Sequence, residues 1–146
     1  MYISDLHIHS RFSRATSRDL TPSSLDLWAR KKGIHILGTG DFTHPAWRAE
    51  LKEQLEEAEP GLYLLKKDFR TEDGSPSSSP LPRFVITGET SSIYKKNGRV
   101  RKVHSLIILP SLEAADILSG RLEAVGNIHS DGRPILGLDC HDLLAM

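Results

Sequence analysis

The residues best suited to chemistry stand at the start of the chain, in Ile3-Ser4-Asp5-Leu6-His7-Ile8-His9-Ser10. Apolar and polar side chains alternate there, which predicts a half-buried β-strand whose odd positions share one face. Asp5, His7 and His9 would then point the same way. Two imidazoles at i and i+2 can grip one divalent cation or two adjacent ones, and a carboxylate beside them supplies a further ligand or fixes an imidazole tautomer.

Residues of the same kind follow three later apolar runs. Ile34 to Asp41 is a predicted strand ending in Gly38-Thr39-Gly40-Asp41, so Asp41 falls just past a strand's carboxyl end, where open α/β architectures place chemistry. Arg83 to Glu89 is another, and a carboxylate at Glu89 can span two cations and lower their mutual repulsion. His104 is a polar residue entering the apolar run Val103 to Leu109, so it needs a partner, either a metal or a hydrogen-bonding group in the core. His35 alternates with isoleucines and reads as a core or interface histidine. His44 is a weaker ligand candidate, His129 falls in a surface loop, and His141 stays outside the site.

Two basic groups accompany these residues. Arg11, Arg14 and Arg18 are interleaved with Ser13, Thr16 and Ser17 in the loop after the first strand, a composition suited to phosphate oxygens. Lys95, Lys96, Arg99, Arg101 and Lys102 surround a predicted hairpin with Asn97-Gly98 at its turn, and form either a DNA-binding surface or a solvated one.

The elements that must position these side chains are a βαβ unit and its continuation. Thr21 as N-cap and Pro22 at the first helical position start a helix that carries Leu25, Leu27, Trp28 and Ala29 and ends at Gly33. From Pro45 to about Ala58 an acidic helix is predicted, with Leu51 and Leu55 inward and the glutamates as a solvated face. Gly61 to Leu65 adds a short strand or helical turn. Ser111 caps a helix with Leu112, Ala115, Ile117, Leu118 and Leu122 inward, and Asp131-Gly132-Arg133-Pro134 is a turn leading through Ile135-Leu136 to a last helix near His141 to Leu144. Residues 70–82 are Ser/Pro-rich and predict an exposed, mobile loop inserted in one domain, since the motifs on either side belong to one site.

Nineteen basic residues balance nineteen acidic ones, so net charge carries no case for nucleic acid. At 146 residues, with 38% hydrophobic and 26% charged, the chain suits one globular domain. No apolar run is long enough to span a membrane, Met1 to Asp5 lacks the pattern of a secretory signal, and the lone Cys140 has no internal disulfide partner; together these predict a cytoplasmic protein without membrane partners.

Asp5-x-His7-x-His9-Ser10, Gly38-Thr39-Gly40-Asp41, Gly88-Glu89 and Val103-His104-Ser105-Leu106 together resemble the polymerase-and-histidinol-phosphatase (PHP) phosphoesterases. His7 to Ser13, the phrase His44-Pro45-Ala46-Trp47 after Asp41, and Gly132 to Leu138 look closest to endonuclease Q, which nicks DNA beside deaminated bases. The resemblance covers essentially the whole chain. It implies an α/β fold, part of a distorted (β/α)7 barrel of mostly parallel strands with an inserted hairpin, and a hydrolase acting on phosphodiester bonds. It implies metal ligands at His7, His9, Asp41, Glu89 and His104, with Glu89 bridging and Asp5 orienting a histidine or acting directly. Arg11, Arg14 and Arg18 would bind substrate phosphate, and Lys96, Arg99, Arg101 and Lys102 would bind DNA. Where many PHP enzymes carry a histidine, this chain carries Asp41.

The PHP pattern also has a lone histidine and an Asp-x-His pair on later strands, which this sequence lacks. Residues 1–146 are therefore expected to be the N-terminal part of one PHP domain. The missing C-terminal part of the same protein would be its natural partner, and two or three Zn, Mn or Mg ions would be held by the full-length protein. Two other readings stand beside this one: a small-molecule phosphatase of the histidinol-phosphate type, and a non-catalytic PHP scaffold.

Overall fold

The computed structural model describes residues 1–72 and 80–146. The Ser/Pro-rich stretch expected to form a loop lies mostly outside the described residues. The elements, in chain order, are β1 (Ser4–Asp5), α1 (Pro22–Lys32), β2 (Ile36–Gly38), α2 (Pro45–Gln54), β3 (Leu55–Glu59), β4 (Leu62–Leu65), β5 (Arg83–Lys96), β6 (Arg99–Leu109), α3 (Leu112–Glu123), β7 (Ile135–Leu136) and α4 (Cys140–Leu144).

Local chemistry accounts for the helices that the sequence predicts. Thr21 and Ser24 cap α1 reciprocally, Pro22 opens it, and Gly33 closes it. Ser111 accepts from the Ala114 amide to start α3, and Asp139 accepts from the His141 amide to start α4. The Asn97-Gly98 turn has positive φ at both residues, 53° and 73°, the backbone that a two-residue hairpin with native twist requires.

The strands form a seven-stranded sheet built around β5. One path runs β1-β2-β5-β4-β3, and both β6 and β7 also pair with β5. The pairings β1–β2, β2–β5 and β5–β7 are parallel; β3–β4, β4–β5 and β5–β6 are antiparallel. The expectation of mostly parallel strands is corrected to a mixed sheet, because the longest ladder, from Ile86–Leu109 to Lys96–Arg99, belongs to the hairpin. The sheet does not close: among the described residues β1 pairs only with β2, and β6 only with β5.

One core joins α1 and α2 to the sheet through Leu25, Ala29, Leu37, Trp47, Leu51, Phe84 and Ile86. A smaller one gathers Leu122, Ile128 and Leu136 beneath α3. Trp47 is fully buried and donates its indole N–H to the carbonyls of Thr39 and Gly40 at 3.2 and 2.9 Å, tying α2 to the loop that carries Asp41.

Four expectations change. The acidic helix stops at Gln54, and Leu55–Glu59 is an edge strand against β4; Leu55 and Leu65 face each other in the core, while Glu56, Glu57 and Glu59 stay exposed. The first ladder is limited to Ser4–Asp5, so His7 and His9 lie beyond the strand's carboxyl end. Ile117 points outward at 60% exposure, because α3 buries Leu112, Ala115 and Leu122 and has no second layer outside it among the described residues. His104 does not enter a buried run: β6 alternates half-buried and exposed residues, and the imidazole is 54% exposed.

Candidate metal centre

The centre forms where four parts of the chain meet: the segment after β1, the loop after β2, the middle of β5 and the facing residues of β6. Glu89 is its hub. It is 3% exposed, and its Oε2 lies 3.0 Å from His7 Nε2 and 3.3 Å from His9 Nε2. His104 Nδ1 bonds the other oxygen, Oε1. Burial alone would raise the Glu89 carboxyl, but hydrogen bonds from His7 and His104 and the charge of Arg133 outweigh it and hold the group below the usual carboxylate range. It is therefore ionised at neutral pH.

His7, His9 and Glu89 present one ligand atom each within 4.8 Å of one another. The His7 and His9 rings meet edge to face at 5.6 Å between centroids. In-register pairs of β5 and β6 share a face, so Ser91 and His104 stand beside Glu89 and Leu106 on the same side of the sheet. Ser91 Oγ lies 3.4 Å from His104 Nε2.

Asp41 has a different set of partners. It is fully buried and sits at φ 49°, a left-handed backbone that aspartate tolerates better than most residues and that concentrates at functional sites. Its Oδ1 lies 3.0 Å from His9 Nδ1. Its Oδ2 accepts from the Ser10 amide at 2.6 Å, the Ser10 hydroxyl at 2.7 Å and the Ser13 hydroxyl at 2.9 Å. Asp41 thus occupies one ring nitrogen of His9 and leaves the other facing Glu89, the arrangement a carboxylate behind a metal-binding imidazole would have.

The remaining sequence candidates are spread out. Asp5 is exposed and its side chain makes no hydrogen bond or ion pair among the described residues; it lines a cleft of about 500 Å³ with His9, Leu20, Leu25, Trp28 and Leu37. Arg11 is paired with Glu50, and Arg14 lies 3.4 Å from Asp131. Arg18 is exposed. In the hairpin, Lys96 pairs with Asp139 at 2.7 Å, while Arg99, Arg101 and Lys102 are exposed. Strand alternation puts Lys95 and Lys102 on the face of Glu89, and Lys96, Arg99 and Arg101 on the other.

His44 is stacked on Phe12 at 4.4 Å and donates Nε2–H to the His129 carbonyl at 3.0 Å; burial pulls its pKa down, against that hydrogen bond. His35 Nδ1 accepts from the Ile3 amide.

Sequence reasoning missed three residues here. Ser10 follows the second histidine directly, and that position in the His-x-His-Ser motif is the signal that places it beside Asp41. Gly132 and Arg133 belonged to the Gly132-Arg133-Pro134 phrase and carried no role. A Cβ on Gly132 would collide with the Asp41 carboxylate, and Arg133 Nη1 lies 3.8 Å from Glu89 Oε2.

No family model matches the chain. An uncharacterized protein of Methanocaldococcus jannaschii is 31% identical over 141 residues, which is 96% of this chain and 14% of that protein. The crystal structure of the lesion-specific endonuclease Q of Pyrococcus furiosus superposes with a TM-score of 0.76 at 27% identity, covering 97% of this chain and 30% of that one. A crystal structure of endonuclease Q with a 27-mer duplex substrate carrying an abasic lesion at the active site gives a TM-score of 0.75 at 28% identity, over 96% and 30%. The chain is similar in fold to endonuclease Q and spans less than a third of these relatives.

Proposed function

We propose that this chain is the N-terminal, metal-binding part of a PHP-type phosphoesterase that cuts DNA beside deaminated bases, and that further polypeptide completes a (β/α)7 barrel around the site. One observation carries this reading. Residues 82 positions apart in sequence, His7 and Glu89, converge with His9 and His104 on one carboxylate, in a fold similar to that of a lesion-specific endonuclease.

The donor set fits a divalent cation. Imidazole nitrogens and a carboxylate oxygen lie close enough to share one ion, and Glu89 has imidazole nitrogens on both of its oxygens, as a carboxylate spanning two cations needs. Such a mixture suits Zn²⁺ and Mn²⁺, and Mg²⁺ with fewer nitrogens. His7, His9 and Glu89 would hold the ion, with His104 completing the set. A cation there supplies positive charge to a phosphate group and makes a water molecule acidic.

The chain's own residues do the rest. Glu89 stays ionised and draws the three imidazoles to one point. Asp41, fixed by Ser10 and Ser13, holds the His9 ring in one orientation. Asp5 is assigned no contact with the reacting groups. The exposed Arg99, Arg101 and Lys102 supply sequence-independent attraction for a DNA backbone.

The test is a nicking assay on duplexes containing uracil, hypoxanthine or an abasic site with Mn²⁺, Mg²⁺ or Zn²⁺, run on this chain and on a form extended to the length of its relatives. Lesion-dependent nicking by the extended form supports the reading. Hydrolysis of small phosphate monoesters with no nicking would replace DNA by a small substrate.

A further inference from the structure

Residues 129–134 form a strap drawn tightly over the candidate metal centre. His44 Nε2–H donates to the His129 carbonyl at 3.0 Å, and Thr43 Oγ1–H donates to the Gly132 carbonyl at 3.1 Å. The Gly132 amide donates to the Phe12 carbonyl at 3.1 Å, and the Ser91 amide donates to the Pro134 carbonyl at 2.9 Å. Asp131 accepts from the Arg133 amide at 3.0 Å and meets Arg14 at 3.4 Å. The backbone at Gly132 lies so close to Asp41 that no side chain fits between them. These bonds anchor the strap to the segment after β1, the loop after β2, and β5.

The position of Arg133 is a consequence. Its guanidinium reaches back to within 3.8 Å of Glu89 Oε2, too long for a hydrogen bond, and its side chain stays 40% exposed. A cationic fork with five donors is held at the edge of the candidate metal site, with Glu89 at 3.8 Å its one ion-pair partner among the described residues. Arg11 and Arg14, which the sequence offered for phosphate, are turned instead to Glu50 and Asp131.

We propose that Arg133 is the side chain that binds the phosphate of the substrate at this centre, with the strap 129–134 fixing its reach. The inference rests on the phosphoesterase reading above. Cations on Glu89 would remove the attraction that bends the guanidinium toward it, and the fork would then be free for two oxygens of a phosphate.

The experiment compares wild type, Arg133→Ala and Arg133→Lys, each loaded with Mn²⁺. Metal stoichiometry, urea midpoint, affinity for a fluorescein-labelled duplex with an abasic site, and affinity for inorganic phosphate are measured. Arg133→Ala should keep its metal and its midpoint and lose roughly tenfold or more in affinity for both probes, with partial recovery in Arg133→Lys. Unchanged affinity for both probes would overturn the proposal, and so would loss of metal, which would make Arg133 a support of Glu89. If wild type binds phosphate but no DNA, and Arg133→Ala loses the phosphate, the DNA reading fails while the role of Arg133 stands. If wild type binds neither probe, the role fails too.

Discussion

At the scale of single residues, the account depends on a division of labour between two buried acids. Glu89 collects imidazoles, whereas Asp41 has accepted four donors and has little capacity left for a cation. Asp41→Asn keeps the shape but loses the charge that fixes the His9 ring, and metal affinity should fall about 10–100-fold, the range for a residue behind a ligand. Competition against a chromophoric chelator measures this; an unchanged affinity would show that His9 does not depend on Asp41. The histidines and both acids were legible in the sequence because chemistry dictates their types: His7, His9 and Asp41 follow strand ends, and Glu89 and His104 stand as polar residues in apolar strand runs. Arg133 was not, because its relation to Glu89 arises from a strap whose anchors are mostly backbone groups.

At the scale of elements, caps and turns were legible and periodicity less so. Thr21 and Gly33 bound α1, and Asn97-Gly98 turns the hairpin, because these depend on a few neighbouring residues. The end of α2 could not be read: Leu51 and Leu55 keep helical spacing, and only the packing of Leu55 opposite Leu65 makes Leu55 the start of a strand. Likewise His104 looked buried because β6 is rich in isoleucine and leucine, yet no layer among the described residues covers Leu106 and Ile108.

The helices also give a pH prediction. Asp116 of α3 meets Arg48 and Lys52 of α2 at 3.2 and 2.5 Å. Burial alone would raise its carboxyl, but these two cations outweigh burial and hold it below the ordinary aspartate value. A lowered carboxyl contributes stability above its unfolded pKa and loses it as pH falls through the folded one. Between about pH 5 and pH 2 the wild type should therefore lose more stability than Asp116→Asn, read as the shift in urea midpoint. Parallel curves for the two proteins would remove Asp116 from the tie between α2 and α3.

At the scale of the whole molecule, the sheet is open where the site is. Leu106, Ile108 and Ile135 are 41%, 52% and 64% exposed, and register puts them on the face of Glu89 and Ser91. Tyr2, Ile3 and Trp28 are exposed near β1, another open edge. No helix among the described residues is long and apolar enough to cross a membrane. Unpaired edges flanked by apolar side chains promote pairing with another chain. Purified alone, this chain should self-associate with rising concentration in sedimentation velocity, and Ile108→Lys should shift it toward monomer with its circular dichroism unchanged. A wild type that stays monomeric throughout would show that the open face is tolerated as it is.

The central claim is that His7, His9 and Glu89 hold a divalent cation, and metal stoichiometry tests it most directly. Wild type and a His7→Ala/His9→Ala variant would be loaded with Mn²⁺ or Zn²⁺, desalted and measured by elemental analysis alongside circular dichroism. The account predicts at least one ion per chain in the wild type and none in the variant, with the same secondary structure in both. Equal metal in the two proteins, or none in the wild type, would contradict it.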